Sequence, residues 1–251
     1  MDLIRALEAD AGLTCVVGAG GKKSTLYELA GRLEQSVVTA TVRIPIFDRE
    51  VADVWVTEEP LAALESAAET DLEWPLGLVP EQERDDRYRG YDPATVDRIA
   101  SAAGVEHVLV KADGARTRLL KAPNEREPQL PDTVETVVAI ASVDAVGQPL
   151  EDDVVHRPER VADVTGRAIG EPIEPADVAA ILTSPEGGLK DVPEGATYVP
   201  LVNMVDDDDA LETAREVATH VLEKSAATHG RVSRVVLTSM LADEPLVDVC
   251  Q

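Results

Sequence analysis

The chain has 251 residues and carries 48 acidic against 23 basic side chains, so its formal net charge is -25 at neutral pH. Such a surface repels nucleic acid and anionic lipid, which excludes proteins that bind either by charge. Hydrophobic residues make up 44% of the chain, which is enough for a packed core. The sequence contains no uninterrupted apolar run of about 18 residues, so no membrane span is predicted. This acidity is typical of a high-salt cytosol, where salt screens the self-repulsion.

The N-terminal segment begins an amphipathic helix and carries no cleavage signal, so a cytoplasmic protein is expected. The two cysteines, Cys15 and Cys250, are too few and too far apart for a disulfide framework or a metal cluster. Six lysines occur, and five of them lie in segments punctuated by Gly or Pro, where lysine is a candidate for anion contact, with chance placement as the alternative. Those five are Lys22, Lys23, Lys111, Lys121 and Lys190.

Apolar strands alternate with helical patterns along the whole chain, which predicts an α/β fold with a mostly parallel sheet flanked by helices on both faces. Strands are predicted at 13–17, 36–42, 105–110, 134–143, 196–202 and 232–237. Residues 1–251 are interpreted as a single domain. The segment at about 44–104, with helices predicted at 60–69 and 92–103, is longer than an ordinary crossover. It is interpreted as an elaboration of that domain and a candidate lid.

The first strand runs through a glycine-rich turn into a helical pattern, which directs backbone N–H groups and the positive end of the helix dipole at one spot. The turn fits G-x-x-x-x-G-K-[ST] imperfectly, and Lys22 is preferred as the phosphate lysine because Gly21 precedes it. Lys22 is expected to be exposed. A dinucleotide loop and a purely structural turn are the alternatives. The predicted nucleotide-binding residues are Gly18, Ala19, Gly20, Gly21, Lys22, Lys23, Ser24 and Thr25.

Charged residues follow the third predicted strand. Asp113 is placed to hold Mg²⁺ through water, together with the hydroxyl of Ser24 or Thr25, although an Asp here can also stabilise a glycine turn. Arg116 and Lys121 are candidates for contacting phosphate or neutralising transition-state charge. The alternative is that these two basic residues pair with Glu125 and Glu127.

Later strands also end in polar residues. Asp144 follows the fourth strand and is a weaker metal candidate than Asp113. The sequence at 203–206, Asn-Met-Val-Asp, is similar to Asn-Lys-x-Asp, in which the Asp accepts hydrogen bonds from guanine. Asn203 and Asp206 are therefore candidates for binding the base, and the alternative is an Asx turn that caps the next helix.

This order of loop, strands and polar strand ends is similar to the metallochaperone branch of P-loop GTPases, and its individual motifs resemble the YqeC-type family. The motifs are Gly18–Lys22, Lys111–Arg116, Lys121–Glu125, Ala141–Ala145, His156–Glu159 and Ser184–Lys190. The resemblance implies a three-layer P-loop NTPase-like fold. It also implies a GTP- or ATP-binding, Mg²⁺-dependent accessory protein in the maturation of a selenium-dependent molybdenum hydroxylase. The chain departs from the family at Lys23, where Thr is expected, and at Met204, where Lys is expected.

The expected activity is slow nucleotide hydrolysis, with Asp113, Arg116 and Lys121 in catalytic roles. The expected partners are a purine nucleotide and a molybdenum hydroxylase or its maturation machinery, with a homo-oligomer left open. Two alternatives remain at this stage. One is a nucleotide-gated binding protein without turnover, and the other is a small-molecule kinase that uses the same loop.

Overall fold

A computed structural model of the chain describes residues 1–10, 12–67, 72–228 and 230–251. The α-helices in these residues are α1 Leu3–Ala6, α2 Lys22–Ala30, α3 Pro60–Ala67, α4 Pro93–Ala100, α5 Pro158–Thr165, α6 Pro175–Thr183 and α7 Asp208–Ala227. The strands of the first half are β1 Gly12–Gly18, β2 Ser36–Ala40, β3 Ile44–Pro45, β4 Asp53–Val56, β5 Leu76–Val79, β6 Gln82–Arg84, β7 Arg87–Tyr88 and β8 His107–Lys111. The later strands are β9 Leu120–Lys121, β10 Thr136–Ser142, β11 Val155–His156, β12 Thr197–Asn203, β13 Val235–Thr238 and β14 Leu246–Cys250.

Nine strands form one sheet in the order β14-β13-β12-β10-β1-β8-β2-β5-β4. Every neighbouring pair is parallel except β13 with β14, which is antiparallel. The central strands are buried on both faces, as expected for parallel strands joined by helical crossovers. The mostly parallel α/β fold is therefore confirmed.

Side chains of β1 alternate between two hydrophobic cores, one on each face of the sheet. Leu13, Cys15 and Val17 lie in the core that also contains the buried faces of α4, α6 and α7. Val16 lies in the opposite core, with the buried residues of α1 and α2. The molecule is therefore a sheet between two helical layers, and α2 covers the face opposite α6 and α7.

The six strands predicted from apolar runs are all present, with ends shifted by up to three residues. The segment at 44–104 adds β4 and β5 to one edge of the main sheet, while β3, β7 and β6 form a small antiparallel sheet. The predicted helix at 60–69 appears as α3, and its last two positions lie outside the described residues. In the described parts of the chain, no helix is long and apolar enough to cross a membrane.

Candidate functional site

The turn between β1 and α2 depends on glycine at two positions of close approach. Gly18 and Gly21 have φ angles of 92° and 131°, which L-residues rarely adopt. A Cβ atom at Gly18 would lie 2.1 Å from the carbonyl oxygen of Ile140, and one at Gly21 would lie 2.1 Å from Nδ2 of Asn203. The turn is therefore pressed against the ends of β10 and β12 and has no space for side chains.

The backbone N–H groups of this turn fall into two sets. The first set is occupied at 2.9 Å: Gly18 donates to Asp113 Oδ2, Ala19 to Ile140 O and Gly20 to Arg118 O. The second set is open, because α2 has no side-chain cap and the N–H groups of Lys22, Lys23 and Ser24 donate to no acceptor in the described residues. The occupied amides hold the turn in place, and the open ones form the donor end of α2.

Lys22 is buried rather than exposed, and the expectation of an exposed loop lysine was wrong. Its exposed fraction is 6%, its Nζ lies 2.9 Å from Asp113 Oδ1, and it donates to the carbonyl oxygen of Gly18. The cause is Asp113 itself, because a carboxylate removed from water needs a nearby counter-charge. The ammonium group is therefore drawn beneath the turn.

Asp113 follows β8 and is only 2% exposed. Burial alone would raise its pKa, but the charges of Lys22 and Lys121 outweigh burial and lower the pKa to about 2. Its Oδ2 accepts from Gly18 and lies 2.8 Å from Lys121 Nζ, whereas its Oδ1 accepts no hydrogen bond despite the nearby Lys22. Asp113 is therefore an ionised carboxylate held between two lysines, and its Oδ1 has the Lys22 ammonium group as its neighbour.

Lys121 is held by three oxygen atoms and has no N–H group left for a phosphate in this conformation. Its Nζ lies 2.8 Å from Asp113, 2.9 Å from Glu127 Oε2 and 2.6 Å from the carbonyl oxygen of Gly114. Arg157 donates to the same Glu127 oxygen at 2.7 Å. The alternative pairing of Lys121 with Glu127 is thus present, and Arg157 is a member of the site that the sequence did not indicate.

Lys111 ends β8 and is 7% exposed. Its Nζ donates to the carbonyl oxygen of Arg43 at 2.8 Å, and the carboxylates of Asp113 and Glu127 act on it only at longer range. Burial, followed by the charge of Lys22, lowers the pKa of Lys111 to about 7. Among the described residues, its ammonium form therefore lacks a direct counter-charge.

Together these side chains form a cluster, buried apart from the half-buried Arg157 and Glu127, in which basic groups outnumber acidic ones. The basic members are Lys22, Lys111, Lys121 and Arg157, and the acidic members are Asp113 and Glu127. In a chain of net charge -25, this basic excess beneath open amide donors is a local reversal of the surface charge. An anion with several negative charges is the ligand that the cluster favours.

The base candidates have different environments. Asn203 is buried, and its Nδ2 donates to Gly20 O at 2.9 Å, while its Oδ1 accepts from Thr238 Oγ1 at 3.1 Å and from Met240 N at 3.2 Å. Its amide group is thus used in bracing the glycine turn.

Asp206 is exposed, and its Oδ1 accepts from Ser239 Oγ at 2.5 Å. Asp144 is exposed beside it, and burial together with the negative charges of Asp206 and Asp207 raises the pKa of Asp144. This side of the sheet edge is therefore open and acidic.

The remaining predicted residues differ in whether their side-chain donors and acceptors already have hydrogen-bond partners. The hydroxyl of Thr25 is occupied, since it donates to Gly21 O at 3.1 Å, whereas the hydroxyl of half-buried Ser24 makes no hydrogen bond in the described residues. Arg116 is exposed with a φ of 49°, and Lys23 is half-buried. Ser24 rather than Thr25 is thus available as a ligand.

The described residues contain no group of three or more His, Cys, Asp or Glu side chains that could hold a metal ion. A site for Mg²⁺ with a nucleotide does not need such a group, because Mg²⁺ keeps several waters and takes phosphate oxygens with one or two protein ligands. Ser24 Oγ fits that smaller set, and Asp113 Oδ1 would join it once Lys22 moves from the carboxylate to a bound phosphate.

The fold and the turn define a class: an α/β protein with a mostly parallel sheet, a glycine turn between its first strand and the following helix, and a buried carboxylate on the neighbouring strand. This arrangement is consistent with a P-loop NTPase-like fold. The family described as YqeC protein matches residues 14–159, more than half of the chain, and the chain belongs to that family.

A relative in Escherichia coli strain K12, named Uncharacterized protein YqeC, is 29% identical over 201 residues, which span 75% of this chain and 74% of that protein. No solved structure matches. The family match contains the glycine turn and all six members of the buried cluster, and it ends before Asn203 and Asp206.

Proposed function

We propose that this protein binds a purine nucleoside triphosphate, GTP or ATP, at the donor end of α2 and hydrolyses it slowly. The observation that carries this proposal is the buried basic excess directly beneath the open N–H groups of Lys22, Lys23 and Ser24. A triphosphate supplies several negative charges and many acceptor oxygens, so it satisfies both features at once.

The proposed roles follow from which groups are free and which are held. Lys22 exchanges its contact with Asp113 for the phosphates, while Lys121 keeps Asp113 ionised and in position. Ser24 and, through water, Asp113 hold Mg²⁺, which supplies charge neutralisation at the phosphates. Arg116, exposed at the mouth of the site, is the side chain that is free to approach the transferring phosphate.

The proposed biological role is that of a cytoplasmic accessory factor in the maturation of a selenium-dependent molybdenum hydroxylase, in a cell of high internal salt. The motifs shared with the YqeC family support the accessory role, and the net charge of -25 supports the salt condition. Hydrolysis distinguishes this role from a nucleotide-gated binding protein, and phosphate transfer to a small acceptor would instead identify a kinase.

The test is calorimetric titration with GTP and with ATP at molar KCl, with and without Mg²⁺, on the wild type, Asp113→Asn and Asp144→Asn, combined with a phosphate-release assay. We expect the wild type to bind a triphosphate more tightly with Mg²⁺ and to release phosphate slowly. Asp113→Asn should lose most of the Mg²⁺-dependent gain in affinity, and the exposed Asp144→Asn should keep it. A folded wild type that binds neither nucleotide contradicts the proposal, and the reverse order of the two variants moves the metal ligand to the end of β10.

A further inference from the structure

Lys111 has a buried amino group whose hydrogen-bonding capacity is mostly unused. An ammonium group has three donors, and in the described residues Lys111 Nζ makes one hydrogen bond, to a backbone carbonyl oxygen. Lys22 and Lys121, the other lysines of the cluster, each lie within 3 Å of a carboxylate oxygen. A buried charge without a direct partner is unfavourable, so a site that keeps one favours a ligand of opposite charge.

The strand alternation places Lys111 on the same face of the sheet as α2. Val108 and Val110 belong to the core that includes α6 and α7, whereas Leu109 belongs to the core that includes α2. Lys111 is two positions after Leu109 and so shares its face. It therefore lies on the side where the open amides of α2 and the buried Lys22 are found.

The strand order of the sheet then indicates how a bound nucleotide would be oriented across the ends of the strands. β1, which leads into the turn and α2, has β10 and β12 on one side and β8 and β2 on the other. With the base at the ends of β12 and β13 and the phosphates at α2, the chain of phosphates extends towards β8. Lys111 ends that strand, level with Val16 of β1, and its charge is close enough to Lys22 for the two to repel one another.

We propose that Lys111 is a second phosphate-contacting lysine, which binds the terminal phosphate and makes the site selective for nucleoside triphosphates over diphosphates. This inference rests on the proposed nucleotide binding and names the group of the ligand that the site distinguishes. Lys22, beneath the turn, contacts phosphates that both nucleotides share, whereas Lys111 contacts the phosphate that hydrolysis removes.

The competing role for Lys111 is to brace the segment that follows β2. Its Nζ holds Arg43 O, and its own carbonyl oxygen accepts from Thr41 N at 3.1 Å. A brace would contribute to the stability of the fold and would be indifferent to the number of phosphates on the ligand. The ratio of triphosphate to diphosphate affinity therefore separates the two roles.

The experiment measures the dissociation constants of GTPγS and GDP with Mg²⁺ for the wild type, Lys111→Met and Lys111→Arg, with the exposed Lys224→Met as the matched control. Lys111→Met should weaken GTPγS binding by about tenfold or more and change GDP binding by less than about twofold. Lys111→Arg keeps the charge and should retain a preference for GTPγS, and Lys224→Met should behave as the wild type. Melting curves of every variant confirm that it is folded.

Equal losses of GTPγS and GDP affinity in Lys111→Met, or unchanged affinities with a lower melting temperature, overturn the inference and leave Lys111 as a brace. A wild type that binds both nucleotides while Lys111→Met has no effect overturns this inference alone. If the folded wild type binds no guanine nucleotide, the same variants are measured with ATPγS and ADP, and a wild type that binds neither triphosphate overturns the proposed function and this inference together.

Discussion

The edge of the sheet at the carboxyl ends of its parallel strands has two halves, which differ in burial and in the sign of their charge. At the ends of β1 and β8, the side chains are buried, basic groups are in excess, and the contacts are fixed by ion pairs of 2.7–2.9 Å. At the ends of β10 and β12, Asp144 and Asp206 are exposed and repel one another. On the proposed function, the first half receives the phosphates, and the second has little that selects one base over another.

This difference indicates where the binding free energy and the specificity of the site arise. Charge-assisted hydrogen bonds in a buried site are stronger than those at an exposed one, so the phosphate half should dominate affinity. The base half has one exposed carboxylate to contribute, and Asn203 is already used in bracing the turn. The family match at residues 14–159 includes the phosphate half and Asp144, and it stops short of residues 203–206.

The largest expected effect comes from breaking the fixed pair of the phosphate half. Lys121→Met should lower the free energy of unfolding by about 3 kcal/mol, because Asp113 and Glu127 both lose an ion-pair partner and are left with Lys22 and Arg157 respectively. Lys22→Met should cost clearly less, because Asp113 keeps Lys121 and the Gly18 N–H. Denaturant unfolding of both variants at molar KCl measures this, and equal losses would show that Lys121 is no more important to the fold than Lys22.

A smaller effect is expected in the base half. Asp206 can accept from N1–H and the amino group of guanine, whereas adenine has no donor at N1, so a preference for GTP over ATP of roughly three- to tenfold is expected at an exposed carboxylate. Asp206→Ala should abolish this preference, and Met204→Lys should increase it, because the lysine places a positive charge beside Asp206. Competition binding with both nucleotides gives the ratios. Tighter ATP binding that Asp206→Ala leaves unchanged would limit residues 203–206 to a structural role.

The core strands other than β5, a run of four residues that contains Gly77, could be predicted from the sequence because parallel strands buried on both faces are continuous apolar runs. β14 was not predicted, because it is an antiparallel edge strand that is only partly buried and has Asp248 in its middle, so it lacks a continuous apolar run. The small sheet of β3, β7 and β6 was also missed, since its strands have two or three residues and carry no periodicity.

The site could be predicted only in part, because several of its contacts join residues that are far apart in the sequence. The glycine turn and Asp113 each have a local signature, but their contact joins residues 95 positions apart. The burial of Lys22 and the shared pairing of Glu127 with Lys121 and Arg157 arise only when the ends of separate strands meet. From the sequence, Lys111 was one of five candidate lysines and had no specific role. No sequence pattern indicates that a lysine will be buried without a nearby carboxylate.

The central claim is that the buried excess of basic groups beneath α2 binds a triphosphate through Lys22. The most direct test is the dissociation constant of Mg²⁺–GTPγS for Lys22→Met beside Lys23→Met, two variants at adjacent positions of the same turn. Lys22→Met should weaken binding by about 30-fold or more, the equivalent of roughly 2 kcal/mol, while Lys23→Met should weaken it by less than about threefold. Unchanged affinity in Lys22→Met, with binding lost in Lys23→Met, would contradict the account and assign the phosphates to the half-buried lysine instead.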